Sequence, residues 1–169
     1  CEPYITGDYR ILMETPELLI EGLNIVLDMF PKAKGIIGIE DNKKDAIAKV
    51  EALVKGDARI SVAPLKTKYP QGAERSLIFA TTGRSINSSM LPADAGCVVD
   101  NVATIVAIKE AVKDGKPLYE RVVTVTGDAI KNPSNFKVRT GTNVQELIEA
   151  AGGFKTQPEK IISGGPMMG

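Results

Sequence analysis

Between residues 15 and 115 the sequence alternates between helix-period segments and short apolar runs, and that alternation limits the fold more than any other feature. "TPELLIEGLNIVLDMF" places Leu19, Leu23, Val26, Leu27 and Phe30 on one helical face. Thr15 suits its N-cap, Pro16 its first turn, and Glu17 the positive end of its dipole. "KGIIGIE" follows as a short isoleucine-rich strand with apolar residues on both faces. Asp41 or Asn42 is expected to cap the next helix, whose apolar side holds Ala46, Ile47, Val50, Leu53 and Val54. "ARISVAPL" reads as a second strand, "PQGAERSLIFATTG" as a helix closed by Gly83, "AGCVVD" as a third strand and "NVATIVAIKEAVKDG" as a helix. Strands separated by helices of this length pair in parallel, with helices on both faces of the sheet. The right-handed crossover rule narrows the topology to a Rossmann-like, three-layer α/β domain.

The pattern changes near Pro117, where we place a boundary between residues 1–117 and 118–169. "ERVVTVTG" alternates valine and threonine, and a turn leads to a second strand ending in "FKVR". "TNVQELIEAAGG" is a short helix capped by Thr142 or Asn143 and stopped by Gly152 and Gly153. "KIISGGPMMG" is expected to begin a further strand. Two strands, a helix and a strand describe a small, partial β-grasp module.

Lys+Arg and Asp+Glu each total 21, and no basic arm or arginine-rich helix stands out, which argues against nucleic-acid binding. No apolar run approaches the length of a membrane span, so contact with a membrane is expected only through partners. Histidine is absent, which excludes Ser-His-Asp triads, Cys-His nucleophiles and HExxH zinc sites. Cys1 and Cys97 form no CxxC or cluster-binding run and read as two reduced intracellular thiols. Any chemistry therefore falls to carboxylates, lysines, main-chain donors or a cofactor, and no catalytic acid or base is assigned.

Three stretches offer binding groups. In "TKYPQGAERS", Pro70 and Gly72 turn the chain into a helix whose free N–H groups suit an anion, with Glu74 in the first turn. Glu74 could equally serve only to offset the helix dipole. In "VVDNVATIVAI", Asn101 and Thr104 open a helix, and Asn101 reads equally as an N-cap or as a donor–acceptor pair for a flavin edge or a ribityl hydroxyl. In "CEPYITGDYR", Pro3 fixes the main chain and Glu2 presents an acceptor. If all three lie at strand carboxyl ends they could converge on one crevice. Glu40 and Asp41 also follow a strand but read as a cap, since no GxGxxG precedes them, and Gly35 and Gly38 read as packing glycines.

Taken together, "CEPYITGDYR", "GIIGIEDNKKDAI", "VAPLKTKYPQGAE", "LPADAG", "NVATIVAI", "RVVTVTGDAIKNP" and "SGGPMMG" resemble the C subunit of the Rnf electron transport complex over essentially the whole chain. The architecture is similar to the FMN- and NADH-binding subunit of respiratory complex I. The resemblance implies a role for Glu2 as a carboxylate near the nicotinamide nucleotide. It places Gly72 and Glu74 along the flavin, and Asn101 and Thr104 near its phosphate and ribityl chain. It makes the second module a soluble-ligand-binding β-grasp (SLBB) domain. Leu91 stands where complex I relatives carry an aromatic residue that stacks near the nicotinamide.

For the whole subunit the resemblance implies NADH oxidation, or NAD reduction, through FMN, with electrons passed to [4Fe–4S] clusters and coupled to a membrane ion pump. The glycine-rich flavin-phosphate loop and the cluster cysteines are expected outside these residues. The chain is thus expected to be a central fragment, inactive and without cofactor by itself. Implied partners are the other subunits of a membrane complex, NAD(H) and, indirectly, ferredoxin, at the cytoplasmic face of the bacterial cell membrane. A flavin-dependent cobalamin reductase on the same scaffold and a non-enzymatic subunit-docking module are the competing readings.

Overall fold

Gly35–Glu40 (β1) and Ile60–Leu65 (β2) pair in parallel, in register from Gly35 opposite Ile60 to Glu40 opposite Leu65. The computed structural model describes residues 1–169, which divide into two compact units. The first holds Cys1 and residues 9–116, and the second holds residues 2–8 and 117–169.

In the first unit β1 alternates strictly, with Gly35, Ile37 and Ile39 buried and Ile36 and Gly38 exposed. The two glycines mark opposite faces of the strand. A Cβ on Gly35 would press on Leu23 of the helix Pro16–Met29 (α2), 2.9 Å from its Cδ2. A Cβ on Gly38 would lie 3.0 Å from Leu77 of the helix Glu74–Thr82 (α4). Helix α2 thus packs on one face of β1 and α4 approaches the other, in the expected Rossmann-like three-layer order. The helix Lys44–Val54 (α3) packs through Ala46, Val50 and Val54. These join Leu19 and Leu27 of α2, Ile105 of the helix Val102–Asp114 (α5) and the strand isoleucines in one core. Leu12 completes it from the helix Gly7–Glu14 (α1), an element the sequence reading missed.

The second unit pairs Glu120–Val125 (β3) with Ser134–Arg139 (β4) in antiparallel fashion. The helix Val144–Ala150 (α6) places Ile148 against Ile130, Val125 and Phe136. Asn143 is its N-cap, the carboxamide oxygen accepting from Gln145 N–H at 2.9 Å.

Several expectations need correction. "AGCVVD" forms no strand. Arg84 Nη1 donates to the carbonyls of Ala95 (2.7 Å) and Gly96 (3.4 Å), and Val98 is exposed. Ala95 closes the 3-10 turn Pro92–Ala95 and Gly96 follows at φ +65°, so the stretch opens in a turn rather than in extended chain, and the parallel sheet has two strands rather than three. "KIISGGPMMG" likewise forms turns: Gly164 has φ +111°, and Met168 and Gly169 N–H donate to Gly165 O. Lys43, not Asp41 or Asn42, stands at the N-cap of α3 and gives no side-chain bond. Thr15 does stand at the N-cap of α2 as expected, although its side chain makes no cap bond. Leu53 is exposed rather than buried with its helix.

Candidate functional site

The carboxyl ends of β1 and β2 are tied by side chains. Asp41 Oδ1 accepts both the Thr67 N–H (3.0 Å) and the Thr67 hydroxyl (2.7 Å), and Thr67 Oγ1 accepts from Asn42 N–H (3.3 Å). The Thr67 hydroxyl, followed by its N–H, holds the Asp41 carboxyl below the usual carboxylate range. One residue earlier, Glu40 receives Lys43 Nζ on Oε2 at 2.9 Å, while the main-chain nitrogen of Cys1 lies 3.6 Å from Oε1. That Oε1 is buried and has no hydrogen-bond partner.

After β2 the chain passes through a tight turn, closed by Gln71 N–H to Lys68 O (2.9 Å) and Ala73 N–H to Pro70 O (2.8 Å). Gln71 is the one buried polar residue and anchors this turn. Gly72 is exposed at its tip, where a Cβ would come within 3.3 Å of Cys1 Sγ. Glu74 follows as the exposed first residue of α4, so the expected succession of strand, sharp turn and helix N-terminus is present.

Asn101 is the N-cap of α5, its side-chain oxygen accepting from Ala103 N–H at 2.8 Å. Its carbonyl receives the N–H groups of Thr104 (2.9 Å) and Ile105 (3.2 Å), so Thr104 sits half-buried in the first turn. The cap half of the dual reading of Asn101 is therefore realised in the geometry. The loop before it is ordered by Arg84, which also approaches Cys97 Sγ at 3.7 Å. Leu91 is exposed at the start of the 3-10 turn Pro92–Ala95.

Gly72 and Glu74 thus share one turn, and Asn101 and Thr104 share another, all four in the first unit. Glu2 belongs to the second unit. Its Oε2 accepts from Met167 N–H at 2.9 Å, and a Cβ on buried Gly165 would run into the carboxylate. Tyr4, two residues on, is the only non-glycine residue at positive φ (67°). Thr6 N–H then donates to Thr124 Oγ1 (3.3 Å), and Asn135 Nδ2 donates to Thr6 Oγ1 (2.9 Å). Sequence reasoning missed Arg84, Thr67 and the Gly165–Met167 turn. Their partners lie 11, 26 and 165 residues away, and only the glycine pair Gly164–Gly165 signalled a special turn.

No three His, Cys, Asp or Glu side chains come together as a metal-binding group. The first unit offers a neutral amide, a hydroxyl, two helix starts and a glycine tip without a side chain. Taken singly, each of these groups suits the hydroxyl or carbonyl oxygens of a polar ligand. No helix is long and apolar enough to cross a membrane.

Comparison with known proteins bears on both units. Residues 1–110 match the family described as the Nuo51 FMN-binding domain, and residues 122–169 match the SLBB domain. The chain is 49% identical over 169 residues to the C subunit of the Na(+)-translocating ferredoxin:NAD(+) oxidoreductase complex of Acetobacterium woodii, covering all of this chain and 38% of that protein. It is equally similar, at 49%, to the C subunit of the proton-translocating ferredoxin:NAD(+) oxidoreductase complex of Clostridium ljungdahlii, covering 37% of it. The C subunit of the ion-translocating oxidoreductase complex of Cronobacter sakazakii is 40% identical, with 22% of its length covered. The chain therefore spans less than two-fifths of the curated relatives it matches.

Proposed function

The chain belongs to the C-subunit family of Rnf-type ion-translocating oxidoreductases, and on that premise we propose that it forms the flavin- and nicotinamide-nucleotide-binding part of such a protein. In this reading residues 1–117 bind FMN and NAD(H), and residues 118–169 are the SLBB module. Electrons pass between the nucleotide and iron–sulfur clusters held elsewhere in the subunit, at the cytoplasmic face of the membrane. The observation that carries the reading is the match of residues 1–110 to an FMN-binding family, because that stretch contains both helix starts.

The chemistry that FMN supplies when bound is exchange between hydride transfer with a nicotinamide and single-electron transfer. This chain's residues bind and orient. The first-turn N–H groups of α4, which has no side-chain cap, favour ligand oxygens, as helix N-termini do. Gly72 lets the ligand approach the main chain, and Glu74 lines the same turn. Asn101 holds the start of α5 while Thr104 presents a hydroxyl from the next residues of that turn. Glu2 accepts a hydrogen bond from the nicotinamide nucleotide. None of these residues transfers a proton.

The test is to reconstitute the full-length subunit with FMN and add NADH without oxygen. Loss of the oxidised flavin absorbance is the expected result. A full-length subunit that takes up no FMN would overturn the reading and favour a docking role.

A further inference from the structure

We propose that the turn from Ser163 to Gly169 is a positioning element for the Glu2 carboxylate, with the Met167 N–H fixing one oxygen and Gly165 leaving the space the carboxylate fills. The inference deepens the reading above, since it rests on Glu2 as a nucleotide contact. Two observations carry it, both within the second unit. Glu2 Oε2 accepts from Met167 N–H at 2.9 Å across 165 residues of sequence. Gly165 is buried, and a Cβ there would overlap both carboxylate oxygens and their carbon.

The turn is built to present that N–H. Gly164 at φ +111° reverses the chain. Gly165 O then receives Met168 N–H (3.3 Å) and Gly169 N–H (2.7 Å), which closes the loop around the donor. The Met167 side chain is half exposed, so its main chain rather than its thioether is the functional part. A flexible glutamate samples many rotamers, and a charge-assisted bond to a fixed N–H removes most of them. Glu2 Oε2 is the oxygen that the turn engages, and the residue is half-buried. Holding one oxygen is the arrangement that aims a carboxylate at a ligand donor, such as a ribose hydroxyl or the carboxamide of a nicotinamide nucleotide.

The contact and its use are tested separately. In the 169-residue chain, Glu2→Ala should shift the Met167 amide proton upfield and speed its exchange with solvent. An unchanged Met167 amide overturns the proposal. In the full-length subunit, Gly165→Ala should raise KM for NADH about tenfold, the order expected for a lost hydrogen bond to a charged group. kcat should fall far less than KM rises, and bound flavin should be retained. Adding Glu2→Gln to Gly165→Ala should cost little more than Glu2→Gln alone, because both disturb one contact. Should Gly165→Ala fail to fold, Met167→Pro removes the donor without filling the space at position 165, and the same KM rise is expected. If Glu2→Gln raises KM while neither turn variant does, the positioning role is overturned and the nucleotide reading stands. If Glu2→Gln leaves KM unchanged, the nucleotide reading of Glu2 fails and the proposal falls with it, whatever the Met167 amide shows.

Discussion

Gly22 of α2 lies directly against the main-chain carbonyl of Ile105 in α5, so close that a Cβ on Gly22 would overlap that oxygen. A buried glycine inside a helix is otherwise unfavourable, and here it permits the two helices to approach backbone to backbone. Gly22→Ala gains helix propensity yet must separate the helices. We expect a net loss of about 1–3 kcal/mol, the usual cost of overpacking. Urea denaturation of the chain would read it as a lower midpoint at unchanged slope. An equal or higher midpoint would show that the pair can slide apart freely.

The Asp41–Thr67 tie predicts how stability responds to acid. Asp41 titrates below the usual range because of Thr67, and Asp45 does so because the Tyr9 hydroxyl, and then Ala46 N–H, donate to it. Unfolded aspartates titrate at about 3.9, so at lower pH the unfolded chain holds more protons than the folded one. Their contribution is fully present above that range and is lost as pH falls through the depressed values. Thr67→Val removes the hydroxyl, and the Asp41 carboxyl, followed by carbon NMR, should titrate closer to the usual range. An unchanged Asp41 titration would show that Thr67 is not its cause.

Tyr9 carries the opposite sign. Its hydroxyl donates to Asp45, and that bond raises the phenol above its ordinary value. A folded pKa above the unfolded one means stability present below about pH 10 and lost as pH rises through the folded value. Tyr9→Phe should abolish this alkaline loss and should raise the titration of Asp45. A Tyr9→Phe protein with the same alkaline profile would assign the loss to other groups.

Asn101 combines a demonstrated cap with a proposed flavin contact, and two substitutions separate them. Asn101→Ala removes the cap, at a cost of about 1 kcal/mol. Asn101→Ser keeps a capping oxygen but not the carboxamide. If the carboxamide meets the flavin, the full-length Asn101→Ser subunit should fold normally and hold less FMN. Normal FMN content in that variant would leave Asn101 with the cap alone.

The chain's own affinity for FMN follows from its donors. Its sequence has no GxGxxG or P-loop run, so the phosphate would lack several charge-assisted hydrogen bonds, each worth about 1.5–3 kcal/mol. A few such losses turn micromolar affinity into roughly millimolar. Titration of the 169-residue chain followed by flavin fluorescence should show binding no tighter than that. Sub-micromolar binding would show that the turns at Gly72 and Asn101 suffice.

What could be read from the sequence was what is decided locally. The period of α2 and α5, the isoleucine run of β1 and the caps at Asn101 and Asn143 all depend on neighbours within a few residues. What was misread depends on distant partners. Asp41 looks like a cap because aspartate often is one, but Thr67, brought alongside by strand pairing, offers two donors. "AGCVVD" has strand composition, yet β preference is realised only beside another strand, and here the stretch starts from a 3-10 turn and a left-handed Gly96. The helix α1 is only eight residues long, and Tyr9, Leu12 and Met13 span too few turns to show a helical period. The glycine pair Gly164–Gly165 marks a turn, but nothing in the local sequence says that Glu2 meets it.

Tyr4 sets stability against whatever its ring does. An L-residue in the left-handed region costs about 1–2 kcal/mol, and glycine would avoid that cost for about 0.5–1 kcal/mol of added chain entropy. The residue is 71% exposed, so packing returns little of the difference. Tyr4→Gly is therefore a cheap way to make this chain sturdier, and a tyrosine at that position is a choice that folding alone does not reward.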